Sequence, residues 1–146
     1  MKIEVDPRQR SKEPRTAGSE EIRDFYERMP YPVPLACLDE YRNLYSNGER
    51  RRALFHRMWP TERPRANQEI LVAGCGTSQA ARYALREPDA RITAIDISET
   101  SLSHTRKLQQ RHGLDNLELH QLSILDVQEL GQTFDQIVLR RIPCHT

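Results

Sequence analysis

The chain is predicted to be an α/β protein, with a parallel sheet built from βαβ units behind a helical N-terminal extension. Three observations predict it. The hydrophobic period changes along the 146 residues, from helical spacing in the first part to short apolar runs after Glu69. Four such runs, near 70–73, 91–95, 117–121 and 135–139, alternate with helical stretches, the pattern of parallel strands joined by crossover helices. And "ILVAGCGTSQAA" places Gly-Cys-Gly directly behind the most apolar run, where a strand turns into a helix.

The elements follow in order. Residues 1–18 mix charges with Pro and Gly and have no apolar period, so a loose or disordered tail is expected. Ser19 caps a helix near 20–29 that carries Ile22, Phe25, Tyr26 and Met29 at helical spacing. "MPYPVP" ends it, because each proline lacks a donor and biases the preceding residue to extended geometry. A second helix near 37–46 carries Leu38, Tyr41, Leu44 and Tyr45 and stops at "SNG"; a third, near 49–58, carries Leu54, Phe55 and Met58. "WPTERPRANQ" is a proline-bearing linker, which divides a helical extension over 19–66 from a domain over 67–146. Ile70–Ala73 is apolar at every position and is expected to be a strand buried on both faces, hence central. A helix near 78–86, rich in alanine, leads to the turn "EPDA" and the strand "RITAID". Ser98 caps a helix near 99–111 that stops at Gly113, and "LELHQL" and "FDQIVL" supply the third and fourth strands.

Composition excludes several classes. A net charge of +1 gives no general attraction to nucleic acid or anionic membranes. The arginines between 49 and 65 read as a solvated face, since no aromatic stacking pattern accompanies them. No run has the length of a membrane span, and the first residues do not resemble a signal peptide. Cys37, Cys75 and Cys144 form no C-x-x-C pair, which fits reduced thiols in a cytoplasmic protein and argues against zinc. His104 and His112 are read as solvated, His56 as partly facing its helix's core, and no metal site is expected.

The chemistry concentrates in the glycine loop. Gly74 and Gly76 let the backbone turn sharply and approach a ligand, and the helix behind them offers free N–H groups to an anion. A tight turn with nothing bound is the plain alternative. Asp96 ends the second strand 20 residues beyond Gly76, where its carboxylate can accept hydrogen bonds from a ribose diol. Loop plus acid fits a nucleoside cofactor. A dinucleotide site wants a third small residue where Gln79 stands, which weakens the pyrophosphate reading.

"VAGCGTSQ", "AIDIS", "LHQLSILDV" and "FDQIVL" occur in order at the spacing of class I S-adenosylmethionine-dependent methyltransferases, and the resemblance covers about residues 68–139. "FYERMPYPVP" resembles the N-terminal segment of some bacterial members. The resemblance implies a Rossmann-like sheet of strand order 3-2-1-4 and S-adenosylmethionine as cofactor. It implies that Gly74, Cys75 and Gly76 pass the methionine part, with Ala73 opening the loop, that Asp96 binds the ribose hydroxyls, and that Ile97 lies against the adenine. Ser123 and Ile124 would stand beside the adenine edge, and Leu139 next to the methyl-transfer site. Tyr31, and beside it Tyr26, is a further candidate that would close over the cofactor or position the acceptor. No catalytic base is assigned, and the methyl acceptor, a small molecule or a protein, is not specified. The sequence departs from the family at Val72 and Ser123, where acidic residues are usual, and at Ser78, where glycine is common.

The family's domain continues beyond the fourth strand, whereas here the chain reads "LRRIPCHT" and stops. A C-terminally truncated member is therefore expected, through a shortened gene product, a frameshift or a partial sequence. Its strand-four edge would be open to self-association, and methyl transfer would be weak or absent. Two rival functions stay open: an NAD-binding oxidoreductase fragment, and a non-catalytic nucleoside-binding or interaction module.

Overall fold

Strand β2, Glu69–Ala73, organises the molecule in the computed structural model, which describes residues 3–4, 18–63 and 65–139. After the half-buried Glu69, Ile70, Leu71, Val72 and Ala73 are all buried, so both faces of this strand are apolar. β2 pairs in parallel with β3 (Arg91–Asp96) on one side and β6 (Gln136–Leu139) on the other. β4 (Leu117–Gln121) adds to the far side of β3, also parallel. The order β4-β3-β2-β6 is 3-2-1-4 counted along these four strands, the Rossmann-like order expected. Among the described residues, β4 and β6 form the two edges.

Alternation along β2 divides the core. Ile70 and Val72, with their register partners Ile92 and Ala94, face α4 (Gln79–Arg86) and α5 (Glu99–His112). There Ala80, Ala81 and Ala84 bring α4 close to the sheet, and Leu102 and Leu108 fill the space under α5. Leu71, Ala73 and Ile95 face the other way, onto Phe134. A 3-10 helix, Ile124–Leu130, supplies Val127 and Leu130 to that thinner layer. The hydrophobic pattern predicts no element between 122 and 134 and places Phe134 at the head of the fourth strand. Instead Phe134 belongs to a short strand β5, Thr133–Phe134, antiparallel to β1, Ile3–Glu4. Asp135 makes the break: its N–H donates to the Glu69 carbonyl at 2.7 Å, and its Oδ2 accepts the Glu69 N–H at 2.8 Å. The tail expected to be loose thus contributes Ile3–Glu4 to a ladder, and Gly18 opens a helix. Residues 5–17 lie outside the described residues.

The helices end where local chemistry dictates. Asn47 caps α3 (Gly48–Met58), its Oδ1 accepting the N–H groups of Glu49 and Arg50. The Ser98 hydroxyl accepts the Ser101 N–H at the start of α5, and Gly113 closes that helix at φ 61°, a left-handed conformation. The N-terminal helices bury less than their spacing suggested. On α1 (Gly18–Arg28) Ile22 is exposed, and α3 buries no residue; His56 is exposed as well. Leu38, just before α2 (Asp39–Tyr45), is the fully buried apolar anchor of the extension. No helix of the described residues is long and apolar enough to cross a membrane.

His112, expected in solvent, is instead half-buried and holds the extension to the sheet domain. Its Nε2 accepts the Leu38 N–H at 2.8 Å, and its carbonyl accepts from the Arg42 guanidinium at 3.1 Å. The ring must be neutral at Nε2 to accept. Burial, then the nearby Arg42 charge, hold its pKa below the ordinary 6.5, while Asp39 opposes and Arg111 assists. A base with a depressed folded pKa contributes stability that is complete above the ordinary value and is lost as pH falls through the folded one. The melting-temperature gap between the wild type and His112→Ala is therefore expected to shrink as the pH is lowered from about 7.5 to 5. A gap that widens on acidification would contradict the neutral acceptor.

Candidate functional site

The loop after β2 folds back over the end of β3. The N–H groups of Gly74 and Cys75 both donate to the Ile95 carbonyl, at 2.9 and 3.1 Å. Gly74 and Gly76 have φ of 67° and 59°, in the left-handed region that side chains with a Cβ rarely adopt. A Cβ on Gly74 would meet no heavy atom within 4 Å, so this part of the loop borders open space. Here the backbone conformation, not crowding, requires glycine. Cys75 is fully buried, and its thiol donates to the Gly76 carbonyl at 3.5 Å.

Asp96 joins the loop to the next helix. Its Oδ2 accepts the Gly76 N–H at 2.8 Å, and its Oδ1 accepts the Ser98 N–H at 2.9 Å. Burial pushes its pKa up from 3.8; the N–H bonds from Ser98, Gly76 and Ile97 oppose this, and the Glu27 charge adds to it. The two carboxylate oxygens offer about four lone-pair sites, and these three N–H bonds leave capacity for a further donor. The carboxylate can therefore hold the loop in shape and still receive a hydroxyl donor.

The N-terminal segment reaches this same edge through two contacts, at Thr77 and at Glu27, that the sequence did not reveal. The Thr77 hydroxyl, fully buried in the loop, donates to the Pro32 carbonyl at 2.7 Å. Glu27, on α1, accepts the N–H groups of Glu99 at 2.6 Å and Thr100 at 3.1 Å, and the Thr100 hydroxyl. It caps α5 from a distant part of the chain, where the helix dipole favours an anion. The Thr100 hydroxyl foremost, with the two N–H groups, holds the Glu27 carboxyl below its ordinary 4.5 against the opposing effect of burial. Its contribution is therefore present above that value and lost as pH falls through the lowered one. Glu27→Ala is expected to cost about 1 kcal/mol in urea unfolding at neutral pH, the usual worth of a helix cap. An unchanged midpoint would show that α1 does not depend on this contact.

Ala73, Asp96 and Leu139 are the last residues of β2, β3 and β6, at the C-terminal edge of the sheet. Ala73 is paired in register with Leu139, which is 62% exposed. Ile97 is half-buried, and its carbonyl accepts from the Gln121 amide at 3.1 Å. Asp96 is paired in register with Gln121, two residues before Ser123. The Ser123 hydroxyl accepts the Leu125 N–H at 3.2 Å and so caps the 3-10 helix, while Ile124 is exposed. Tyr31, exposed, precedes the Pro32 that Thr77 holds, and the Tyr31–Pro32 peptide is cis. Of the departures, Val72 is part of the core, and Ser78 is buried at the start of α4 without a side-chain cap bond. Among the described residues no group of three or more His, Cys, Asp or Glu side chains could hold a metal ion. Cys144 and His145 lie outside those residues.

Glu27 and Thr77 carry no local signal, because each partner is 45 or more residues away. The Ser98 hydroxyl was legible as a cap; the bond from its N–H to Asp96 was not.

Comparison with known proteins adds the family. A family model described as a methyltransferase domain matches residues 70–146. An uncharacterised protein of Synechococcus sp. is 47% identical over 70 residues, which cover 47% of this chain and 17% of that protein. A malonyl-[acyl-carrier protein] O-methyltransferase of Acetivibrio thermocellus is 39% identical over 71 residues, covering 48% of this chain and 24% of that enzyme. Among solved structures, a precorrin-6y C5,15-methyltransferase from Geobacter metallireducens aligns with a TM-score of 0.50 at 15% identity. That alignment covers 66% of this chain and 49% of the other, and it shows a shared fold. The matches thus span less than a quarter of these curated relatives and about half of the solved chain.

Proposed function

The chain belongs to the methyltransferase domain family, and from that premise we propose that it binds S-adenosylmethionine at the C-terminal edge of its sheet and serves methyl transfer. The observation that carries the reading is the Asp96 carboxylate, bonded to the glycine loop on one oxygen and to the Ser98 N–H before α5 on the other. The group fits what is there. The loop borders open space at Gly74, and the carboxylate has acceptor capacity left for a ribose hydroxyl.

In this reading Asp96 takes the ribose hydroxyls, and Ile97 lies against the adenine. Gly74, Cys75 and Gly76 follow the methionine part with their backbone, and Ala73 opens the loop. Ser123 and Ile124 stand at the adenine edge. The Ser123 hydroxyl already caps the 3-10 helix, so its contact to an adenine amino group is weaker than a carboxylate's. Tyr31 and Leu139, both exposed, line the side from which an acceptor approaches. Bound S-adenosylmethionine supplies an electrophilic sulfonium methyl group, and the protein's share is to position and orient.

A thermal-shift comparison tests the reading. S-adenosylhomocysteine at about a hundredfold excess over its dissociation constant should stabilise the chain by about 2.7 kcal/mol, and NAD should not. Stabilisation by NAD alone would favour the oxidoreductase alternative and overturn the proposal.

A further inference from the structure

The "SNG" between α2 and α3 carries a chemistry that the cofactor site does not use. The chain has four asparagines, at 43, 47, 67 and 116, and of these only Asn47 precedes a glycine. An asparagine side chain is open to attack by the backbone nitrogen of the next residue. The nitrogen loses its proton and bonds to Cγ, the Cγ–Nδ2 bond breaks, and ammonia leaves. The result is a five-membered imide. Water then opens it, at Cγ to give aspartate or at the backbone carbonyl carbon to give isoaspartate. The only co-reactant is water. Glycine favours the attack because no Cβ crowds its nitrogen. Asn47 and Gly48 are both exposed, and among the described residues even a Cβ on Gly48 would meet no heavy atom within 4 Å.

What restrains the pair is the cap of α3. The Asn47 Oδ1 accepts the N–H groups of Glu49 and Arg50 at 3.0 and 3.1 Å, and the Asn47 carbonyl accepts the Arg51 N–H at 3.1 Å. The Asn47 backbone is extended, with φ −79° and ψ 110°. Imide closure needs Cγ and the Gly48 nitrogen on the same side of the Cα–C bond, and this ψ holds them apart. The ring therefore closes only after the cap has opened. The rest of α3 gives the cap little support, because the helix buries no residue. An element with few buried contacts opens locally at low cost, and because a helix forms cooperatively, a weakness elsewhere in α3 raises the open fraction.

We propose that Asn47–Gly48 is a site of spontaneous deamidation, released by the opening of α3. The two products act on the helix in opposite senses. Aspartate keeps an acceptor at the cap and adds negative charge where the helix dipole favours it. Isoaspartate lengthens the backbone before Gly48 and moves the acceptor away from the Glu49 and Arg50 N–H groups, so α3 loses its start. None of these residues belongs to the glycine loop or to the Asp96 turn, so the proposal stands apart from cofactor binding.

Incubation of the full chain at mildly alkaline pH, followed by peptide mass spectrometry, tests it. The mass gain of an amide-to-acid exchange should appear at Asn47 well before Asn43, Asn67 or Asn116, and as both aspartate and isoaspartate. Gly48→Pro removes the attacking N–H. The fold accommodates it, since proline suits the first helical position and Asn47 already has the extended backbone that a following proline favours. This variant should lose the reaction at Asn47. Ala53→Gly, exposed on α3, leaves the pair intact and weakens the helix, and it should speed the reaction about two- to fivefold. Wild-type chain in urea below its unfolding transition gives the same reading without a substitution: the rate should rise with urea. Similar rates at all four asparagines, or a reaction that persists in Gly48→Pro, would overturn the proposal. So would a rate that neither Ala53→Gly nor urea alters.

Discussion

Asp96→Ala is expected to weaken S-adenosylhomocysteine binding by about 1.5–3 kcal/mol, roughly 10- to 150-fold, the range for hydrogen bonds to a charged group. Two losses combine. The ribose hydroxyls lose their acceptor. The Gly76 and Ser98 N–H groups also lose theirs, so the loop is less well held before ligand arrives. Calorimetry on the folded variant reads the sum. Asp96→Asn separates the parts. The amide oxygen can satisfy one of the two N–H groups, while its NH₂ group opposes the other donor. The Asn variant should therefore bind more weakly than the wild type and more tightly than the Ala variant. Unchanged affinity in a folded Asp96→Ala chain would remove the ribose role.

Phe134→Ala should be the most damaging single truncation, costing about 3–5 kcal/mol, the usual range for a buried aromatic. Phe134 is fully buried, and among the described residues its layer contains three other buried residues, Leu71, Ala73 and Ile95. Leu122, Val127, Leu130 and Ile137 are half-buried and pack against this small cluster. The opposite face, with two helices and a larger apolar cluster, has more side chains to share a loss. Against a typical domain stability of about 5–15 kcal/mol, the variant should approach unfolding at room temperature. Urea titration should show a lower midpoint with an unchanged slope. A loss under about 1 kcal/mol would mean that the second layer does not depend on Phe134.

Much of this was legible in the sequence, and the reason is periodicity. Ile70–Ala73 announces a strand buried on both faces, and it proves central. The alanines of α4, the Ser98 cap and the Gly113 stop are each local signals, and each is where the pattern puts it. The spacing from Gly76 to Asp96 predicted a carboxylate beside the loop, and a 2.8 Å bond joins them. The illegible parts are short elements and contacts that depend on tertiary placement. β1 and β5 have two residues each, too few for any period to show. The 3-10 helix carries Asp126 and Gln128 among its apolar residues and follows no 3.6-residue stripe. His112 looked solvated because its own helix is charged; its partner, the Leu38 N–H, is 74 residues away. Glu27 was hidden in the same way, as one acid among several on a polar helix, until α1 brought it to the start of α5.

The proposed nucleoside site joins the glycine loop to the Asp96–Ser98 turn, and amide NMR spectra of the full chain titrated with S-adenosylhomocysteine probe both at once. Saturable shifts are expected at Gly74, Cys75, Gly76, Ile97 and Ser98, and none of comparable size at Trp59 or Gln136 at the other end of the sheet. Saturable binding that leaves the Gly74–Gly76 and Ser98 amides unmoved, or no binding at millimolar ligand, would contradict it.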